Sequence, residues 1–110
     1  MALTRDFKVT VKARAERDPA FRRALLTEAV EQLISGEVEA GKVVLRDYIN
    51  ATVGFERLAE ATGTPSKSLM RMLGPMGNPR ASNLFAILGE LQRISGIRLA
   101  VDAGNKKRAA

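Results

Sequence analysis

Apolar residues recur every three or four positions along most of the chain, the spacing that places them on one face of an α-helix. One such stripe precedes Gly36 and consists of Phe21, Leu25, Ala29, Val30, Leu33 and Ile34. Asp18 and Pro19 suit the N-cap and the first helical position of this segment. The pattern therefore predicts a core-facing helix that begins at Asp18-Pro19 and ends at Gly36.

A second helix is predicted between residues 37 and 52, and Gly54 ends it. Its apolar side consists of Val38, Val44, Leu45, Tyr48, Ile49 and Val53. Its other side carries Glu39, Lys42, Arg46 and Asp47, which we expect to face solvent.

Both termini show a different pattern, in which apolar and polar residues alternate over residues 7–13 and residues 97–101. A period of two is typical of a half-buried β-strand. Because a single strand is not stable alone, we expect the two segments to pair, within one chain or across a dimer. An alternative for the N-terminal segment is a basic arm that follows the DNA backbone, formed by Arg5, Lys8, Lys12, Arg14 and Arg17.

Residues 55–79 have the spacing of two short helices joined by a tight turn. The first helix is predicted at residues 55–62, and Gly63 is free to adopt a positive φ in the turn. Thr64 is the predicted N-cap of the second helix and Pro65 its first residue. The inner face of the second helix consists of Leu69, Met72 and Leu73. Its outer and flanking faces carry Ser66, Lys67, Ser68, Met70 and Arg71.

This polar and basic outer face suits the major groove of DNA. The hydroxyls of Ser66 and Ser68 can bond to base edges, and Lys67 and Arg71 can pair with guanine or with a phosphate. Met70 can contact a thymine methyl group, or alternatively belong to the packing of the helix. These five residues are therefore candidate DNA contacts.

The segment LAEATGTPSKSLMRMLGPMGNP resembles the helix-turn-helix of the phage-repressor family of the Cro and C1 type. Its GPMGNP ending and the continuation SNLFAILGELQRISGIRL are most similar to the antidote (antitoxin) component of type II toxin–antitoxin pairs. The resemblance covers about residues 45–101. It implies a homodimer with a contact through the terminal helix, which binds operator DNA, represses its own operon and neutralises a cognate RNA-cleaving toxin.

The sequence departs from the family pattern at the start of the motif. Many phage-type repressors have a small N-cap and then a glutamine that contacts DNA, whereas this chain has Gly54-Phe55. Arg57 can replace that contact by charge, or Phe55 can simply pack in the core. Arg57 is therefore a further candidate DNA contact.

Residues 74–79, the connector, contain two prolines and two glycines and cannot remain helical. The candidate phosphate contacts in and after the connector are Asn78, Arg80 and Ser82. Arg80 stands where the family usually has a small polar cap, and the alternative is that the connector is only a rigid link. A last helix is predicted over Ala81–Ser95, with an apolar face of Leu84, Ile87, Leu88, Leu91 and Ile94.

The distribution of charge favours an anionic partner. The net charge is +6 and the pI is about 10.3. Residues 24–60 contain three basic and seven acidic side chains, whereas residues 61–100 contain five basic and one acidic. Residues 61–89 contain no carboxylate, which favours approach to phosphates. We therefore expect double-stranded DNA as the partner.

The absence of cysteine and histidine removes the usual nucleophile, general base and metal ligands, so we expect no enzyme activity, no cofactor and no metal. With no apolar run long enough to span a membrane and no signal peptide, we expect a cytoplasmic protein. The basic tail at residues 104–110 is a candidate for an extra phosphate contact.

Together the patterns predict a single mainly α domain over residues 1–110, with about five helices, a helix-turn-helix at residues 55–79 and a short strand from each terminus. The predicted function is sequence-specific transcription regulation by an antitoxin. The alternatives are a stand-alone phage-like repressor and a helical protein-interaction module that does not bind DNA.

Overall fold

The structure is a computed structural model that describes residues 5–104, apart from the side chain of Arg5. Within this range the chain forms six helices and no strand: α1 (Arg5–Arg17), α2 (Pro19–Ile34), α3 (Val38–Ala51), α4 (Phe55–Thr62), α5 (Ser66–Met72) and α6 (Ala81–Ser95). The mainly helical class is confirmed, with one helix more than predicted. The basic tail lies, from residue 105 onward, outside the described residues.

The N-terminal segment is a helix, so the predicted strand at residues 7–13 is wrong. Helical spacing places Val11, half-buried, and Ala15, fully buried, on the side of α1 that meets α2 and α3. Phe7 and Val9 are 51% and 61% exposed. A strand here would leave its backbone groups without a ladder, whereas a helix pairs them locally.

The corner between α1 and α2 is held by side chains. Arg14 lies with Nε 3.5 Å from Oδ2 of Asp18 and with its guanidinium 4.6 Å from the centre of the Phe21 ring. Arg22 donates a hydrogen bond to the carbonyl of Ala15. The segment proposed as a basic arm is helical, and its Arg14 contacts Asp18 and Phe21 at this corner. Whether the segment contacts DNA stays a prediction.

Helix α2 begins as predicted. The side chain of Asp18 accepts a hydrogen bond of 3.1 Å from the backbone N–H of Phe21, and Pro19 is the first helical residue. Leu26 and Ala29 are fully buried. Ile34, the last residue, is 68% exposed, so the predicted inner stripe ends before it.

Helix α3 packs against α2 and α1 and holds the largest share of the core. Leu45, Tyr48 and Ile49 are fully buried, as predicted. Gly41 lies against α2 so closely that a Cβ atom there would be 2.6 Å from Cγ of Leu33. The two helices therefore meet where one of them has no side chain.

Helices α4 and α5 form the predicted helix pair, with Gly63 in the left-handed region at φ 72°. Helix α5 begins at Ser66, one residue later than predicted, and Pro65 occupies the N-cap position. Thr64 is therefore not the N-cap. Its N–H donates to Oγ1 of Thr62, 3.3 Å away, which ties it to the end of α4.

Helix α6 has the predicted bounds, but the strand predicted at residues 97–101 is absent from the described chain. With residues 7–13 in a helix, this segment has no strand to pair with. The side chain of Gln92 holds this segment to α6. Its Oε1 accepts a hydrogen bond of 2.8 Å from the N–H of Leu99, and its Nε2 donates one of 3.1 Å to the carbonyl of Leu88. Ile97 and Leu99 pack on the core, whereas Val101, the third apolar residue of the alternation, is 85% exposed.

Helices α2 to α6 share one core. Its buried members are Leu26, Ala29, Leu45, Tyr48, Ile49, Phe55, Leu58, Leu69, Leu73, Ile87, Leu88 and Leu91. Because α4 and α5 contribute to this cluster, their position is fixed by the same packing that stabilises the fold. No helix within residues 5–104 combines the length and the hydropathy needed to cross a membrane.

Candidate nucleic-acid interface

Helix α5 is anchored through its apolar face, as the sequence predicted. Leu69 and Leu73 are 1% and 0% exposed, and Met72 packs against the same core. Burial of two leucine side chains contributes about 3 to 6 kcal/mol of transfer free energy. A seven-residue helix is not stable by itself, so this burial keeps α5 folded and sets which side faces outward.

The opposite side of α5 carries Lys67, Met70 and Arg71, which together form the recognition face. Their spacing of three and four residues places them on one side of a helix. All three are exposed, Met70 to 47%. Met70 is therefore not part of the buried core, and its DNA contact stays a prediction.

Ser66 and Ser68 flank the recognition face in the first turn of α5. Both residues are half-buried. The N–H of Ser68 donates to the carbonyl of Pro65, 3.0 Å away, which closes the first turn. The prediction that these serines border the basic face agrees with their position.

The charges of Lys67 and Arg71 are not neutralised by the part of the chain that the structure describes. The ion pairs there join Arg14 with Asp18, Lys42 with Glu39, and Arg93 with Glu90. The stretch from residue 61 to residue 89 has no carboxylate that could compete. Both cations are available to an anionic ligand.

Helix α4 presents a different outer face. Phe55 is 6% exposed and belongs to the core, while a DNA contact by Arg57 stays a prediction. Arg57 is exposed, but so are Glu56 and Glu60 on the same helix. Two carboxylates around one guanidinium make this face less attractive to phosphates than α5.

The connector leads from α5 to α6 with its polar side chains accessible. Asn78, Arg80 and Ser82 are all exposed. Arg80 occupies the N-cap position of α6 and makes no side-chain capping bond there. Gly77 lies against the end of α5, where a Cβ atom would overlap the carbonyl oxygens of Arg71 and Met72.

Lys42 does not face solvent, so its predicted place on the outer side of α3 is wrong. It is 1% exposed, and its Nζ donates to the carbonyl oxygens of Gly74 at 3.0 Å and Gly77 at 2.7 Å. The third neighbour of Nζ is Oε2 of Glu39, 3.0 Å away. An ammonium group has three protons, and three acceptors surround this one.

Arg46, one turn further along α3, also reaches the end of α5, where Nη1 donates to the carbonyl of Leu73 at 3.5 Å. Neither role was predicted from the sequence. One signal was present: Lys42 precedes Leu45 by three residues, which places it beside the buried side of α3.

Two described carboxyl groups have shifted pKa values, and neither lies on α4 or α5. The N–H of Phe21, which donates to Asp18, lowers the pKa of that carboxyl. Burial raises the pKa of Asp47, and the positive charges of Arg46 and Lys8 partly offset this. No group of three or more metal-ligating side chains occurs among residues 5–104. The recognition face therefore offers charge and hydrogen bonding.

Comparison of the chain with models of protein families, with curated proteins and with solved structures found no match.

Proposed function

We propose that the protein is a dimeric, sequence-specific transcription regulator that binds double-stranded DNA through α5. The observation that carries the proposal is the recognition face. Two unneutralised cations and an exposed methionine lie on one side of a helix whose other side is locked into the core. A rigid helix with a basic outer face, second in a helix pair, is the element that such regulators insert into the major groove.

In this proposal both turns of α5 contact the duplex, at base edges or at phosphates. Lys67 and Arg71 pair with guanine O6 and N7 or with phosphate oxygens, and Met70 packs on a thymine methyl group. Ser66 and Ser68 accept or donate at either base type. Asn78, Arg80 and Ser82 contact phosphates, with Arg57 as a weaker electrostatic contributor.

Operator binding of this kind takes a two-fold dimer, because half-sites lie about one helical turn apart. The proposed dimer contact is α6. Phe85 on this helix is 66% exposed, although Ile87 and Leu88 beside it are buried. A large exposed aromatic side chain is the kind of group that a homodimer interface covers.

The finer proposal is that the regulator is an antitoxin, which represses its own operon and neutralises a cognate toxin. Its support is the resemblance of residues 45–101 to antidote proteins. A stand-alone phage-like repressor is the alternative. Co-expression with the product of any adjacent gene distinguishes them: rescue of growth from a toxic neighbour supports the antitoxin, and a non-toxic neighbour supports the repressor.

A second candidate function is protein interaction without DNA binding. The observation in its favour is a groove of about 620 Å³ between α2 and residues 99–104. Ile34 and Val101, which line it, are 68% and 85% exposed. No retention of duplex DNA at about 100 mM salt would favour this candidate over the regulator.

The test is selection of a duplex from a random-sequence library, followed by titration of Lys67→Ala and Arg71→Ala over about 50 to 200 mM salt. Each variant should bind more weakly and, where its contact is a phosphate, lower the salt slope by about one. Arg23→Ala, an exposed arginine on α2 that belongs to no candidate contact, is the matched control. Parent-like binding by both variants would show that the recognition face is misassigned.

A further inference from the structure

We infer that Lys42 is a positioning residue for the recognition face: it holds the end of α5 and the connector in one conformation and so determines duplex affinity without touching the duplex. This inference rests on the proposed function. Lys42 belongs to α3, outside the helix pair, and it is not among the proposed base or phosphate contacts.

Lys42 is too well enclosed to be a DNA contact itself. Only 1% of its surface is exposed, and Nζ has three oxygen neighbours at 2.7 to 3.0 Å. A buried ammonium is tolerated only when it is paired and hydrogen-bonded. Lys42 would have to abandon all three partners to reach a phosphate.

The bonds of Lys42 fix the connector. The N–H of Gly77 donates to Gly74 O at 3.0 Å, which closes a four-residue turn. Nζ of Lys42 bonds to Gly74 O and Gly77 O, the carbonyls of the first and last residues of this turn. One side chain therefore spans the turn and links it to α3, 32 and 35 residues earlier in the chain.

The turn that Lys42 holds is packed against the end of α5. Gly77 lies directly against the carbonyl oxygens of Arg71 and Met72, with no room for a Cβ atom. The last carbonyls of a helix have no partner within it, and cations are favourable there. The turn packs directly on the backbone of Arg71. A shift of the turn would therefore move that backbone and with it the Arg71 guanidinium.

The experiment exploits the absence of cysteine from the chain. In Lys42→Cys, S-aminoethylation of the denatured protein followed by refolding restores an ammonium group at almost the original position. S-ethylation of the same variant supplies the same side chain without the terminal ammonium group and is the matched control. Each form is titrated with the duplex selected by the parent chain, and affinities are expressed per folded molecule from circular dichroism.

The S-ethyl form should bind about tenfold more weakly than the parent, the size of one lost base contact. Its salt slope should equal that of the parent, since no phosphate contact is removed, whereas Lys67→Ala should lower the slope by about one where Lys67 contacts a phosphate. The aminoethyl form should recover parental affinity. Equal affinity of the S-ethyl form would overturn the inference, and so would a lowered slope.

A second measurement does not depend on DNA or on any variant that must refold. Hydrogen exchange of the parent chain should show the Gly77 amide protected to the level of the α5 core, because Lys42 keeps the turn closed. Rapid exchange at Gly77 beside slow exchange at Leu73 would show that the turn opens freely and would overturn the inference. If the parent binds no duplex, the proposed function fails, while this measurement still decides whether the turn stays closed, as the inference requires.

Discussion

The hydroxyl of Tyr48 donates a hydrogen bond of 2.8 Å to Oγ of Ser95, which joins the last turn of α3 to the last residue of α6. Tyr48 is fully buried, so its hydroxyl has no access to bulk water. A tyrosine in a core requires such a partner for its polar end. This bond fixes the end of α6 relative to α3.

Tyr48→Phe should lower the free energy of unfolding by about 0.5 to 1.5 kcal/mol, because the bond is lost and the Ser95 hydroxyl is left unpaired. Urea unfolding of Tyr48→Phe, Ser95→Ala and the double variant measures the interaction as a double-mutant cycle. The sum of the losses of unfolding free energy in the two single variants should exceed the loss in the double variant. Strict additivity would mean that the hydroxyls do not stabilise each other.

Gly77→Ala should lower the free energy of unfolding by about 1 to 3 kcal/mol, because its Cβ atom meets backbone oxygens that cannot rotate away. Gly89→Ala is the matched control. Gly89 is exposed on α6, and a Cβ atom there would meet nothing within 4 Å, so alanine should stabilise the protein by up to about 1 kcal/mol. Thermal unfolding of both variants checks the signs, and a stable Gly77→Ala would contradict the close contact.

Asp18→Ala should lower the melting temperature at neutral pH, because the first turn of α2 loses its cap. The pKa of Asp18 is lowered in the folded state, so its contribution is present above the unfolded-state pKa and is lost as the pH falls through the folded-state value. The difference in melting temperature between parent and variant should therefore shrink below about pH 4. Asp102→Asn, at an exposed position after α6, serves as control. A difference that stays constant down to about pH 2 would mean that the charged cap is unimportant.

Arg57→Ala should weaken binding of the selected duplex by less than about 0.5 kcal/mol, because Glu56 and Glu60 oppose the approach of phosphates to α4. Arg71→Ala should cost about 1 to 3 kcal/mol if its guanidinium pairs with guanine. Fluorescence anisotropy at one salt concentration compares the two. Equal losses would indicate that α4 lies against the backbone despite its carboxylates.

The local parts of this fold follow from the sequence. The Asp18 cap, the turn at Gly63 and the inner face of α5 depend on residues within one or two helical turns of each other, and the structure has all three. The prediction for residues 7–13 is wrong because their alternation suits a strand or the exposed half of a helix equally well. The choice between the two depends on whether a distant strand is available for pairing.

The misplacement of Lys42 has a similar origin. The acceptors that make its burial favourable lie in the connector, 32 and 35 residues away, and no local pattern indicates them. Charge on a predicted helix is assigned to solvent by default, since buried lysines are rare. The side of α5 that bears Lys67 and Arg71 was predictable, whereas the support beneath it was not, and DNA contact itself stays a prediction.

Burial of Lys42 also makes it a chemical reporter. Lys8, Lys12 and Lys67 are exposed and should react at once with an acylating reagent, whereas Lys42 is shielded by the connector. Its acylation requires the turn to detach from α3. Mass spectrometry, which compares the rate of acylation of Lys42 with the rates of the three exposed lysines, therefore measures how often this segment detaches.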